Sequence, residues 1–529
     1  MERTATRPRH RIAALAAIGL VLGACATPRT QSADEAGPAK RGGNLNVRLA
    51  QDPASLDTVQ NTNAGVTYIG HEVFEQLVTI NADYQPKPVL AESYKKGDDG
   101  LSYTFTLRKG IVFSDGSPLK SSDAVASLKY WVGKGSYAGS LKPVLKDITA
   151  PDENTVLVTL SAPFNLVALM AASHGSGIRR EADIAAAGPT GIPRDKAIGT
   201  GPYKVKSWTP GQEVVLERND KYQPPSGESS GYSGKKNAYL DTITFKVVAD
   251  SDAVLNGLQT GIIDVAEASN DQYDQVKRND TLKVGLEGTA NIQYLALNHN
   301  SGSIFAKPEA REAMNLIVDK SAIMASQGVP DLVSPNNGAF AAETNKAMYS
   351  EAGKATWSKH DPQRAKELFA AAGLTAGQSV RMITTDEFPQ FKDALVLVQS
   401  ELQKIGITAT IDSYDFATLI GRKNNEPNSW DVLALMDDAN PPVPSYSDNV
   451  QGLDNMGYPR DQLAPLLTAY NSATTPEDQS KAIDKIQEFT AQNLPTITLY
   501  NGRSYVAYSA KVKGYSGWGM EFADVWLAG

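Results

Sequence analysis

Apolar and polar positions alternate with period two in several short runs, the mark of a half-buried strand. Residues 44–50 alternate in this way, and so do 103–108, where Tyr103, Phe105 and Leu107 share one face. Asp98-Asp99-Gly100 before that run is a turn signal. Further strands are predicted at Thr155–Leu160, Glu213–Arg218, 242–248 and 408–411. Helical spacing appears elsewhere. Residues 311–326 set Met314, Ile317, Val318 and Met324 near one face, which predicts a single helix. Asp361-Pro362 is an N-cap followed by proline at the first helical position, and Gly373 is the stop. Residues 391–405 carry Phe391, Leu395, Val398, Leu402 and Ile405, ending at Gly406. Thr475-Pro476 starts another helix, with Ile483, Ile486 and Phe489 on its stripe. Strands and helices interleave throughout, so the class is α/β or α+β. No internal repeat is visible, and the main loop is the Pro-, Gly- and Ser-rich stretch 223–237.

The first 24 residues break this pattern. Arg3, Arg7, Arg9 and Arg11 precede thirteen apolar or small residues, 12–24. A span needs about 20 residues, so this run is too short for one and fits an export signal. It ends at Leu22-Gly23-Ala24-Cys25, which resembles a lipobox. That resemblance implies lipidation of Cys25, the chain's one cysteine, and cleavage before it. Residues 25–41 are polar with no hydrophobic period, and read as a lipidated tether. With a root-mean-square reach of about 5–6 Å × √n, such a tether holds the body roughly 20–25 Å from the membrane. The expected location is the extracytoplasmic face of a bacterial cell membrane, in the periplasm or on the outer surface.

Among 529 residues, 51 Lys and Arg face 59 Asp and Glu, a net charge of −8. The signal segment is basic, so the rest carries about −11. An acidic body argues against nucleic acid as a partner. One Cys excludes an internal disulfide framework and every multi-Cys metal site.

Catalytic motifs are weak. His71-Glu72-Val73-Phe74-Glu75 begins like H-E-x-x-H, but Glu75 replaces the second zinc ligand. Gly227-Glu228-Ser229-Ser230-Gly231 matches G-x-S-x-G, yet loop residues flank it on both sides, and a nucleophile elbow needs a strand before and a helix after. The five His residues are scattered. Asp98-Asp99 reads as a solvated turn pair. Asp437-Asp438 differs: it ends the buried-strand pattern 430–436 and precedes Asn440-Pro441-Pro442. An acid at a strand end beside Trp430 is either a cation site or a loop cap. Neither metal nor cofactor is expected, and no nucleophile stands beside a base to suggest an enzyme.

Several segments together resemble the large solute-binding proteins of ABC importers, the family that includes oligopeptide-, dipeptide- and nickel-binding proteins. They include GGNLNVRLAQDPASLDT at 42–58, the 73–130 block with VLAESYKKGDDGLSYTFTLRKGIVFSDGSPL, IGTGPYKVKSWTPGQEVVLERNDKY at 198–222, YLALNHN at 294–300 and DPQRAKELFAAAGL at 361–374. The resemblance runs in order over 42–529. It implies an α/β, two-lobe periplasmic-binding-protein-like fold with an extra domain inserted in the first lobe. Lobe I would be 42–75, 198–290 and 500–529, the inserted domain 76–197, and lobe III 291–499, with hinges near 288–294 and 494–500. Within the 73–222 segments, Gly110, Gly116 and Gly201 sit where turns need unusual φ. The implied function is capture of a peptide between the lobes and delivery to membrane permease subunits, by a monomer. In peptide-binding members an aspartate takes the ligand ammonium. The segment 436–442 places Asp438 there, with Ala434 and Met436 as backbone positions in lobe III, and Asn63 and Ala64 in lobe I. The same fold also implies an alternative, a non-peptide solute such as a glycoside, nickel chelate, haem or opine. His71 follows the lobe I segment and could approach the cleft.

Overall fold

In the clearest alternating runs, 44–49, 102–107 and 155–160, the apolar face is buried. The computed structural model describes residues 38–529, save 62, 136–137, 189–190, 375–377, 474 and 529. The export segment, Cys25 and most of the tether lie outside the described residues. No helix among the described residues is long and apolar enough to cross a membrane.

Asn44–Leu49 buries Leu45, Val47 and Leu49 and pairs in parallel with Thr242–Val247. It belongs to an 11-stranded mixed sheet. At the centre are two long antiparallel strands, Leu282–Leu297 and Thr496–Ser509. On one side of this pair lie Val432–Asp438, Ser379–Thr385 and Thr408–Tyr414. On the other lie Val265–Glu267, Asn44–Leu49, Thr242–Val247, Glu213–Arg218 and Tyr203–Thr209. Each flank contains parallel pairs, and parallel strands need a crossover. Between Ser379–Thr385 and Thr408–Tyr414 that crossover is the helix Pro389–Lys404, which buries Phe391, Leu395, Val398 and Leu402. Where the long strands join the two flanks, their register slips three times, at Leu286/Thr289, Thr289/Asn291 and Gln293/Tyr294.

The extra unit is a separate four-stranded antiparallel sheet. Ala91–Lys96 and Ser102–Leu107 pair directly, and Gly100 at φ +70° closes the turn the Asp-Gly signal predicts. Tyr103, Phe105 and Leu107 are buried, as their alternation requires.

Two local expectations change. Residues 311–326 are not one helix. Pro308–Ile317 and Lys320–Ala325 are separate, because Val318 is extended and Asp319 caps the second helix through Ala322 N–H at 2.9 Å. Gly110 and Gly116 do have positive φ, +76° and +99°, but Gly201 does not need it. A Cβ on Gly201 would sit 2.5 Å from the Glu72 carbonyl oxygen, so glycine is required for close backbone approach.

Candidate functional site

The site is built on the Val432–Asp438 strand. Val432, Leu433, Ala434 and Leu435 are buried, and the strand then emerges, with Met436 41% exposed. One edge pairs with 291–297, matching Ala434 to Leu295, Met436 to Gln293 and Asp438 to Asn291. The other edge pairs with Ser379–Thr385 only at Val432 and Leu433. From Ala434 onward that edge has no strand partner among the described residues. It is a row of backbone donors and acceptors able to accept an added strand.

Alternation sends the two acids apart. Asp437 turns inward and accepts hydrogen bonds from Ser447 Oγ at 2.7 Å, Asn449 Nδ2 at 3.0 Å and Asn449 N–H at 3.3 Å. Burial, reinforced by nearby Asp448, pushes its carboxyl up to about 7. Asp438 faces a cavity of about 230 Å³ and caps Asn440 N–H at 2.8 Å. Asp438 is exposed in the empty cleft, yet the protein around its carboxyl still raises its pKa through desolvation.

Asp438, Glu287, Tyr84, His174, Tyr232 and Trp518 line the cavity. No Lys or Arg does so among the described residues. Tyr84 meets the Trp518 ring at 4.9 Å and Tyr232 meets it at 6.1 Å. Glu287 Oε1 and Trp518 Nε1 are buried with no hydrogen-bond partner among the described residues. Burial, with Glu267 nearby, raises the Glu287 carboxyl to about 7. Two acids and three electron-rich rings make a cavity that favours a cation.

A second cavity of about 320 Å³ continues the first, sharing Ile80, Tyr84, Ala172, Asn440 and Pro442. Its far walls come from Lys96, Tyr103 and Asn165 on the four-stranded unit and from Met348, Tyr470 and Thr475 opposite. Asn165 Nδ2 donates to Tyr470 Oη at 3.0 Å across the gap.

The remaining residues singled out in the sequence do not join this cavity. Trp430 is fully buried in the core just before the strand, and its carbonyl accepts from Asn298 Nδ2 at 2.8 Å. Ala64 opens the helix Ala64–Val73, and Asn63 caps it through Gly65 N–H at 2.9 Å. That backbone is helix terminus rather than strand edge, and neither residue lines either cavity. His71 lies behind Tyr232, stacked on its ring at 3.8 Å, with His174 edge-on at 4.1 Å. Burial lowers the pKa of both imidazoles. The described residues contain no group of three or more His, Cys, Asp or Glu able to hold a metal ion. The G-x-S-x-G stretch lies in a loop, and Ser229 Oγ accepts from Lys236 Nζ at 3.0 Å. Sequence reasoning missed Glu287, Tyr84, Tyr232 and Trp518. They come from distant segments, and none carries a local signal.

Residues 85–457 match the profile of the bacterial extracellular solute-binding proteins, family 5 Middle. The probable peptide ABC transporter periplasmic-binding protein y4tO of Sinorhizobium fredii is 27% identical over 73% of this chain and 74% of its own. The oligopeptide-binding protein AppA of Bacillus subtilis is 25% identical over 95% of each chain. The solved structure of AppA with a nonapeptide superposes with a TM-score of 0.71, at 22% identity, over 93% of this chain and 100% of that one. The binding protein AgaA of A. tumefaciens, solved with agropinic acid, superposes with a TM-score of 0.71 at 26% identity, over 92% of this chain and 99% of that one.

Proposed function

The chain belongs to the bacterial extracellular solute-binding proteins of family 5, and on that premise we propose that this ABC-importer receptor captures peptides. The observation that carries the reading is Asp438, which stands where an open strand edge meets a cation-favouring cavity. The peptide's ammonium lies against Asp438 and its backbone runs along 434–438 as an added strand. This mode holds main chain while leaving side chains largely free. Lobe I is 42–75, 198–290 and 500–529, the inserted domain is 76–197, and lobe III is 291–499. The register slips in the long strands support hinge closure there, since bulges concentrate bending. The peptide passes unchanged to the permease, a reading supported by the chain's membership of a solute-binding family. Agropinic acid in the AgaA complex supports the alternative of a non-peptide solute. The two acids and the lack of any Lys or Arg in the Asp438 cavity favour the ammonium of a peptide over an anionic solute there.

The test is calorimetric titration with a random tetrapeptide pool between pH 5 and 9. Glu287 holds its proton up to about 7 in the empty cavity. A bound ammonium favours the ionised carboxyl, so below that pH binding must expel a proton. Affinity therefore rises with pH up to about 7, by at most about tenfold per unit for one group. Above roughly 8 the peptide amine loses its own proton and affinity falls again. A flat profile would argue against ammonium recognition in this cavity.

Cys25 is the mature N-terminus and carries lipid in this reading. The intact mass of the mature protein is expected to start at Cys25 plus acyl groups, with partitioning into detergent. Cys25→Ser is expected in the soluble fraction; retention in the membrane with unchanged mobility would contradict the anchor.

A further inference from the structure

The Asp438 cavity holds two carboxylates, and the amino terminus of a peptide brings it a single ammonium. Asp438 enters from the Val432–Asp438 strand and Glu287 from the long strand Leu282–Leu297. Asp438 already accepts from Asn440 N–H, whereas Glu287 Oε1 is buried with no hydrogen-bond partner among the described residues. No Lys or Arg among the described residues lines this cavity. His174 does line it, but burial lowers its pKa to about 4, so the imidazole is uncharged at neutral pH. Tyr84 stands near both acids: burial, then Asp438 and Glu287, raise its pKa. Its Oη lies 3.8 Å from where a Cβ on Gly288, the neighbour of Glu287, would begin. Tyr84, Trp518 and Tyr232 thus give the Glu287 side of the cavity aromatic walls. Such walls suit both a cation and the methylene stem that carries it. With one ammonium bound, the second acid must either keep a proton or be enclosed unpaired, and both lower affinity.

We propose that the captured peptide has a basic first residue, whose α-ammonium meets Asp438 and whose side-chain cation meets Glu287 among the Tyr84, Tyr232 and Trp518 rings. This rests on the peptide reading above and narrows it to a substrate class. The stem of a lysine or arginine lies against the rings, and its charged head donates to the unpartnered Glu287 oxygen. Ligand and cavity then balance, two positive charges against two negative. The competing account is one ammonium shared by both acids, which needs no second charge on the ligand.

Calorimetry with five tetrapeptides separates these accounts: Lys-Ala-Ala-Ala, Arg-Ala-Ala-Ala, norleucine-Ala-Ala-Ala, Ala-Lys-Ala-Ala and Ala-Ala-Lys-Ala. Norleucine keeps the lysine stem and lacks its ammonium. Wild-type protein is expected to bind the lysine-first and arginine-first peptides ten- to a hundredfold more tightly than the norleucine-first one, the range for one hydrogen bond to a charged group. Lysine at the second or third position is expected to bring no such gain. In Glu287→Gln the lysine-to-norleucine ratio falls to near one, and Glu287→Asp keeps part of it. Equal binding of lysine-first and norleucine-first peptides by wild type overturns the assignment in favour of a shared ammonium, and the peptide reading stands. An equal gain from lysine at every position also overturns it, since that is general attraction to an acidic body. Both of these results need only wild-type protein, so they decide even where a variant fails to fold. A ratio in Glu287→Gln unchanged from wild type overturns the role of Glu287. If wild type binds none of the five, the peptide reading itself fails, and this substrate class with it.

Discussion

Asp438→Asn is expected to weaken binding of peptides with a free amino terminus by about 2–5 kcal/mol, the range for leaving alone one member of a charge pair that closure of the lobes over the ligand buries. The substitution keeps size and hydrogen-bonding capacity and removes the charge. N-acetylated peptide should bind wild type about as poorly as free peptide binds the variant, because both lose the same pair. Asp437→Asn is the control, and its expected effect differs in kind. Asp437 only accepts, from Ser447 and Asn449, so an amide there turns a donor against existing donors. Stability falls, while the ratio of free to acetylated peptide affinity stays as in wild type. Calorimetry on both variants with both peptides measures that ratio directly. An unchanged ratio in Asp438→Asn would move the ammonium site elsewhere.

Trp430→Ala is expected to cost about 3–5 kcal/mol of folding stability, the range for truncating a buried aromatic. Its side chain is fully buried in the core. At about 3.3 Å per residue, eight positions of extended chain separate it from Asp438 by roughly 25 Å. Chemical denaturation should show the loss. Trp430→Phe should recover much of it, and peptide discrimination should be untouched in both. A variant that folds normally but loses peptide would return Trp430 to the site.

The Trp430 and Asp438 positions show where sequence pattern carries information and where it stops. Period-two alternation located Asn44–Leu49 and Ser102–Leu107, because burying one face of a strand constrains every second residue, and a continuous apolar run located the start of Val432–Asp438, which is buried on both faces. The same alternation separated Asp437 from Asp438. It could not say how far the strand's apolar start lies from its polar end in space, so a Trp near in sequence looked near in the fold. The 311–326 stripe stayed in phase across Val318, which hid the break that Asp319 capping creates. Gly201 looked like a turn residue because glycine has two uses, and close approach to Glu72 cannot be read without the fold. The resemblance put backbone pairing near Ala64, but Asn63 is a strong N-cap and starts a helix there. Glu287, Tyr84, Trp518 and Lys96 belong to four segments brought together only by the long central strands and the four-stranded unit. Each is ordinary in its own neighbourhood.

The central claim is capture of intact peptide. Native mass spectrometry of the mature protein, purified without unfolding, followed by release and sequencing of whatever it carries, tests this most directly. One peptide per chain is predicted, with a free amino terminus and no chemical change. A non-peptide solute at the same stoichiometry, or a peptide released as cleaved fragments, would contradict it.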